Sequence, residues 1–321
     1  MQRPRKPRKR RPADLEHRKP LERVPLWLRA LAALPLPFWY RVADFFAWLA
    51  EFVVRYRRRI VDMQLHRCFP DQDEAWIKET RCGYYRNFGD VSVEIIKAVS
   101  ITEDEIRKRV SFVDEGRLRA ALDAGQSIII VTSHNCNWEW ALLALSIGFG
   151  HPVHAAYKPL HDRWGDRLFL TIRSRFGAQM IPAKRLLMRV LRDRGKARIV
   201  AMVADQDPVS ATVRHFTQFF GQDTAFYLGP EVISRVGKMP VYYLAMRRES
   251  RGHYEIQFEL LATGDESLPE GAIIDRYARH VEAHTRKYPA DWLWSYRRWK
   301  VRRHVEPGDA AARIQLTDGS D

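Results

Sequence analysis

Cysteine is scarce in this 321-residue chain. Cys68, Cys82 and Cys136 are the whole complement, too few and too scattered for a disulfide framework or a thiolate zinc site. A reducing, cytosol-facing compartment fits. No run of about 20 uninterrupted apolar residues occurs, so no segment reads as a transmembrane helix. The most apolar region, Val24 to Val54, is broken by Arg29, Arg41, Asp44 and Glu51 and by Pro35 and Pro37, and no small-residue cleavage site marks it as a signal peptide. Also missing are a Walker A loop, a dinucleotide-type glycine fingerprint after a strand and a G-x-S-x-G elbow, so no cofactor is expected. Acidic residues are outnumbered, 39 Asp+Glu against 54 Lys+Arg, for a formal net charge of +15. That surplus calls for an anionic partner: nucleic acid, acidic lipid or a phosphorylated substrate.

What is present is enough for a sizeable core. The chain is 46% hydrophobic and carries 10 Trp, 12 Tyr and 15 Phe, which excludes a mainly disordered protein. Residues 1–22 form a basic, proline-rich stretch that reads as a disordered arm, and the small polar residues 306–321 read as a disordered tail. Residues 23–60 read as two short amphipathic helices rich in Trp and Phe, suited to a membrane interface, with "RYRRR" (55–59) beside acidic headgroups. The competing use of that segment is a helical layer packed on the main domain. Different faces could serve both.

Residues 61–305 form the expected main domain. Helical spacing runs through 72–98, and Thr102 with Glu105 forms a capping box. From 127 onward strands and helices alternate: "SIIIVTS" (127–133), a helix from Trp138, "PVHAAY" (152–157), a helix over 163–176, "AQMI", a helix to Gly195, and "ARIVAMVAD" (197–205). A helix is expected over 225–236, then a strand pair joined through "SRG" and a terminal helix ending at Pro289. This order predicts a single α/β domain with a mixed, mostly parallel sheet flanked by helices.

The chemistry concentrates in "SHNCNWEW" (133–140). A histidine with an acid five residues on is a weak signal by itself. Five such pairs occur, starting at His17, His66, His134, His161 and His304, where chance supplies about one. Context separates them: only His134 follows a buried strand and precedes an apolar helix, at the strand's carboxyl end where α/β sheets collect ligands. Glu139, in the first turn of that helix, is then expected to orient the His134 imidazole and leave its other nitrogen as a base. The structural alternative is a strand-end histidine at a helix start. Cys136 as a nucleophile and a metal site through "HPVH" and His161 lack supporting ligands. "ADQDP" (204–208) ends the second buried strand on the same sheet edge as His134. Arg173 and Arg175 close a helix, where they complement its dipole or bind an oxyanion or phosphate. "DWLWSYRRWK" (291–300) mixes Trp and Tyr with Arg and Lys, suited to nucleic-acid stacking, a membrane interface or a capping segment.

Taken in order, "VDMQLHRCFPD", "YYRNFGDVSVEIIK", "SHNCNWEW", "YKPLHDRWGDRLFLTIRSRFG", "VADQDP", "FFG", "RRESRGHYEIQF" and "DWLWSYRRWK" resemble the bacterial lipid A biosynthesis acyltransferases of the lysophospholipid acyltransferase superfamily, over roughly residues 26–303. The resemblance implies a glycerol-phosphate acyltransferase-like fold and transfer of a fatty acyl chain from acyl carrier protein, or coenzyme A, to a hydroxyl of a lipid A precursor. It implies a place at the cytoplasmic face of the inner membrane, peripheral or N-terminally anchored, and no metal, cofactor or nucleic acid. It places the H-x4-D/E dyad on His134 and Glu139 and the substrate-binding positions on Asn137, Trp138, Arg173, Arg175, Asp205 and Asp207. The basic surface would then meet the acidic carrier and the lipid A phosphates. Cys136 departs from the small residue usual there, and "MQLHRCFP" from the usual element, which leaves open another lipid acceptor of the ornithine lipid or phosphatidylinositol mannoside type. A basic nucleic-acid-binding module is the remaining alternative.

Overall fold

A computed structural model describes residues 18–208, 214–301 and 303; the expected disordered segments, apart from residues 18–22, lie outside them. Seven strands make one mixed sheet: β1 (Val110–Val113), β2 (Ile128–Thr132), β3 (Val153–Tyr157), β4 (Gln179–Pro182), β5 (Ile199–Val203), β8 (Val241–Ser250) and β9 (His253–Ala262). Their order is β1-β9-β8-β2-β5-β3-β4, and every pairing is parallel except β8 with β9. The central strands alternate between two cores. Ile129, Val131, Val200, Met202, Val241 and Tyr243 point into one, and Ile128, Ile130, Ile199, Ala201, Tyr242 and Leu244 into the other. Because successive side chains point to opposite faces, a strand buried on both sides must be apolar throughout, which is why "SIIIVTS" and "ARIVAMVAD" are so legible. Helices cover both faces.

One expectation needs correction. Residues 225–236 are not one helix: Gln222–Tyr227 is strand β7, paired antiparallel with β6 (Arg214–Phe219), and the helix α10 is Gly229–Gly237. Phe220 and Gly221 both take positive φ, 51° and 65°, the two-residue turn that suits a right-twisted hairpin. The short edge strand β1, which follows the helix capped by Thr102 and Glu105, also escaped the sequence reading.

The N-terminal helices are there. α1 (Leu26–Ala33) and α2 (Leu36–Trp48) are separated at Pro35, and α2 runs into a π-helical turn over Leu49–Val53. α2 turns Leu36, Trp39, Tyr40, Ala43 and Ala47 inward onto α4 (Glu74–Lys97). Gly89 of α4 allows that approach: a Cβ there would sit 3.0 Å from the Ala43 carbonyl oxygen. The opposite face shows Phe38, Phe45, Phe46 and Trp48 to solvent. Trp27 of α1, also exposed, stacks on Trp164 at 6.5 Å between ring centroids. Among the described residues no helix is long and apolar enough to cross a membrane.

His154 on β3 is 3% exposed, and its Nδ1 has no hydrogen-bond partner among the described residues. Burial, reinforced by Arg198 and Arg189, pushes its imidazole down to about 4. A group depressed this way stabilises the fold fully above the unfolded pKa of about 6.5 and loses that contribution as pH falls toward its folded value. Denaturant unfolding at about pH 5 should therefore show a loss of about 2 kcal/mol relative to neutral pH that His154→Leu abolishes. An unchanged pH slope in the variant would refute this.

Candidate active site

The register of two neighbouring strands builds the site. β2 and β5 run parallel with Thr132 opposite Val203. Two residues further along each chain lie His134 and Asp205, beyond the carboxyl edge of the sheet. The His134 ring meets Asp205 there: Nδ1 lies 2.5 Å from Oδ1, while the His134 backbone N–H donates to Oδ2 at 3.0 Å. Trp292 Nε1–H donates to the same Oδ2 at 2.8 Å. Burial pushes the Asp205 carboxyl up, but the charge and hydrogen bonds of His134, with the Trp292 donor, outweigh it and hold the group below the ordinary carboxylate range. An ionised Asp205 can only accept, so Nδ1 carries a proton, and in the neutral ring the lone pair is the one on Nε2. The Gln206 side-chain amide lies 3.3 Å from that Nε2 and can donate to it.

Glu139 does not hold the histidine, contrary to the expected pairing. It is buried in the first turn of α7 (Trp138–Gly148), and its carboxylate receives a two-pronged bond from Arg173, Nε to Oε2 at 2.8 Å and Nη2 to Oε1 at 2.6 Å. Trp138 Nε1–H adds a third, 3.1 Å from Oε1. Burial raises the Glu139 carboxyl, yet the charge and hydrogen bonds of Arg173, with the Trp138 donor, outweigh it and hold the group below its usual value. The acid five residues after His134 thus anchors α7 to α8 (Arg163–Arg173), and the acid 71 residues away orients the ring.

The other expected positions divide. Trp138 packs edge-on against His134, centroids 4.9 Å apart, and lines the cleft. Asn137 is fully buried. It caps α7 by accepting from the Trp140 N–H, and it donates to Glu94 at 2.7 Å, so it shapes the loop and presents no group to a substrate. Arg175 donates to the Ala98 carbonyl and covers the Phe176 ring. Asp207 is held by Arg298 at 2.7 Å and by the Tyr296 hydroxyl at 3.2 Å; this pair closes the C-terminal segment over β5. Cys136 is sealed in, its thiol donating to the Met246 carbonyl, and burial raises it well above the ordinary thiol value, so it is no nucleophile. Among the described residues no cluster of His, Cys, Asp or Glu could hold a metal.

Beside His134 lies a shallow, solvent-open cleft, walled chiefly by Tyr84, Phe88 and Val91 of α4, Trp138, Trp292 and Leu293. Mostly apolar walls around one polar ring suit a substrate with a greasy part and one reacting group. Trp292 and Gln206 escaped the sequence reading. Trp292 sat in a stretch that looked like a stacking surface, yet Trp292, Trp294 and Arg298 are buried and belong to the core.

The family model for bacterial lipid A biosynthesis acyltransferases matches residues 24–301. The chain belongs to that family. Its members are acyltransferases, which agrees with a base-bearing cleft beside an apolar wall and identifies this chain as an enzyme that transfers acyl groups in lipid A biosynthesis. The match begins at residue 24, so α1 and α2 are part of the acyltransferase and not an appendage. No curated protein matches the chain.

Proposed function

We propose that this acyltransferase moves a fatty acyl chain from a thioester of acyl carrier protein, or of coenzyme A, to a hydroxyl of a lipid A precursor, with His134 as general base. Nε2 takes the hydroxyl proton as the oxygen attacks the thioester carbonyl. The tetrahedral adduct collapses with cleavage of the C–S bond, and the imidazolium returns the proton to the leaving thiolate, giving ester and thiol. Asp205 fixes the tautomer and stabilises the transient imidazolium. The observation that carries this reading is the His134–Asp205 pair at the rim of an apolar cleft, with the second ring nitrogen engaged only by the side-chain amide of Gln206, which an acceptor hydroxyl would displace. Glu139 and Arg173, paired with each other, join α7 to α8 behind Trp138 and are assigned no step on the substrate.

The exposed aromatic face of α1 and α2, with the basic residues around it, supports residence on the cytoplasmic surface of the inner membrane, held in the interface without a span. The assay is direct. Purified full-length protein, given acyl carrier thioester and lipid A precursor, should form one new ester per thiol released, and His134→Ala should not. Esterification by His134→Ala at the wild-type rate would remove the base from the mechanism. Running the same donor with ornithine lipid or phosphatidylinositol mannoside as acceptor discriminates the lipid class, with mass spectrometry naming the product.

A further inference from the structure

Between the π-helical turn and α3 (Arg58–Cys68) the chain turns through "RYRRR", residues 55–59. Arg55 and Arg57 both adopt left-handed backbone, φ 53° and 52°, an unfavourable conformation for a side chain with a Cβ. The turn lines one solvent-open concavity of about 610 Å³ with Arg55, Arg57, Arg58 and Arg59, completed by Ile60 and Asp62. Its charge is poorly offset. Asp62 lies 3.7 Å from Arg58 but spends its other oxygen on Arg81 at 2.7 Å. Among the described residues, Arg55 and Arg59 have no ion-pair partner, and Arg57 donates one N–H to the Ser295 carbonyl.

A short series of ring contacts runs from this bowl to the catalytic cleft. Arg57 lies over the Tyr56 ring, Tyr56 stacks on Phe88 at 6.3 Å, and Phe88 lines the cleft with His134. The Tyr56 carbonyl is held by the Tyr85 hydroxyl, so the turn is fixed to the same helix that walls the cleft. All four cations are arginines, whose planar forks match the oxygens of a phosphate in pairs, whereas diffuse attraction to a membrane needs only scattered charge.

We propose that the arginine turn 55–59 is a binding site for a phosphate ester on the headgroup of the acceptor lipid, holding it while the hydroxyl reaches His134. The proposal rests on the acyltransferase reading above, and it is tested without turnover. Phosphatidylcholine vesicles carrying phosphatidic acid, a phosphomonoester, are compared with vesicles carrying phosphatidylglycerol at matched surface charge. Wild-type protein should bind the phosphomonoester vesicles about tenfold more tightly. Arg55→Gln/Arg59→Gln should erase that preference and leave phosphatidylglycerol binding in place, since neither side chain is buried and their loss strands no charge; a thermal melt checks the fold.

Inorganic phosphate added to the wild type should compete selectively with the phosphomonoester vesicles, which keeps the test decisive should the variant misfold. Equal affinity for the two vesicle types, a preference that survives the double substitution, or no competition by phosphate would each overturn the site. In transfer assays the same variant should raise KM for the acceptor with kcat retained. Absence of transfer by wild-type protein would instead overturn the acyltransferase reading and leave the binding result standing.

Discussion

Asp205→Asn should lower kcat for acyl transfer on the order of 10⁴-fold, nearly as far as His134→Ala, with KM for both substrates little changed. The reason lies in how the two carboxylate oxygens are used. Oδ2 accepts from two fixed donors, the His134 backbone N–H and the Trp292 indole N–H, while Oδ1 faces the ring. An asparagine has one oxygen. The two fixed donors claim it, which turns the NH₂ toward Nδ1. That nitrogen must then accept, the ring proton moves to Nε2, and the base is lost although every heavy atom stays in place. The double variant His134→Ala/Asp205→Asn should be no slower than His134→Ala alone, because the two side chains act as one unit. The measurement is steady-state kinetics on the three variants beside thermal melts. An Asp205→Asn enzyme within tenfold of wild type, or losses that multiply in the double variant, would show that Asp205 does not set the tautomer. Glu139→Gln is the informative contrast: the structure gives it no bond to the ring, so its effect on kcat should be far smaller than that of Asp205→Asn.

Why Asp205 was legible as a neighbour of His134 but not as its partner follows from what each kind of pattern encodes. Two apolar runs, Ile128–Thr132 and Ile199–Val203, are buried on both faces, and their composition announces parallel strands whose ends share a sheet edge. Which acid at that edge reaches the ring depends on register, and register is set by packing across the sheet. Nothing in the spacing of "HNCNWE" says that Glu139 turns toward α8, because its partner Arg173 lies 34 residues on. Chain proximity favoured Glu139, and tertiary pairing favours Asp205. Gln206 carried no signal, since an amide does not titrate and sits between two more conspicuous acids. The aromatic-basic stretch 291–300 misled for a related reason. Arg298 is buried, yet it is bonded to Asp207 and the Ala225 carbonyl and covered by the Phe226 ring, so a charged residue there is core. The hairpin over 214–227 was hidden because six-residue strands with mixed polarity resemble one helical face as readily as a strand. By contrast, the N-terminal helices were readable as elements and as a packed layer, since α2 buries one side against α4 and leaves phenyl rings exposed on the other.

Glu139→Ala should cost about 3–5 kcal/mol of stability, the largest loss expected from any single substitution near the site. Arg173 loses two charge-assisted bonds at once, and with only 23% of its side chain exposed its guanidinium has little water to turn to. Trp138 loses the acceptor for its indole N–H as well, which loosens the ring that packs against His134. Glu139→Gln keeps the shape and one acceptor oxygen but removes the charge, so it should fall between wild type and alanine. Arg173→Met/Glu139→Met, which removes both charges and fills the space, should recover most of the stability lost in Glu139→Ala. Linkage gives a further check. Arg173 and the neighbouring donors hold the Glu139 carboxyl below its usual value, so its stabilisation is fully present above the ordinary glutamate pKa and disappears as pH falls through the lower, folded one. Acidification from neutral pH should therefore destabilise wild type more than the double-methionine variant. Urea unfolding of the four proteins at neutral and acidic pH measures all of this. If Glu139→Ala unfolds like wild type, or the double replacement is as unstable as the single one, the buried pair is not what joins α7 to α8.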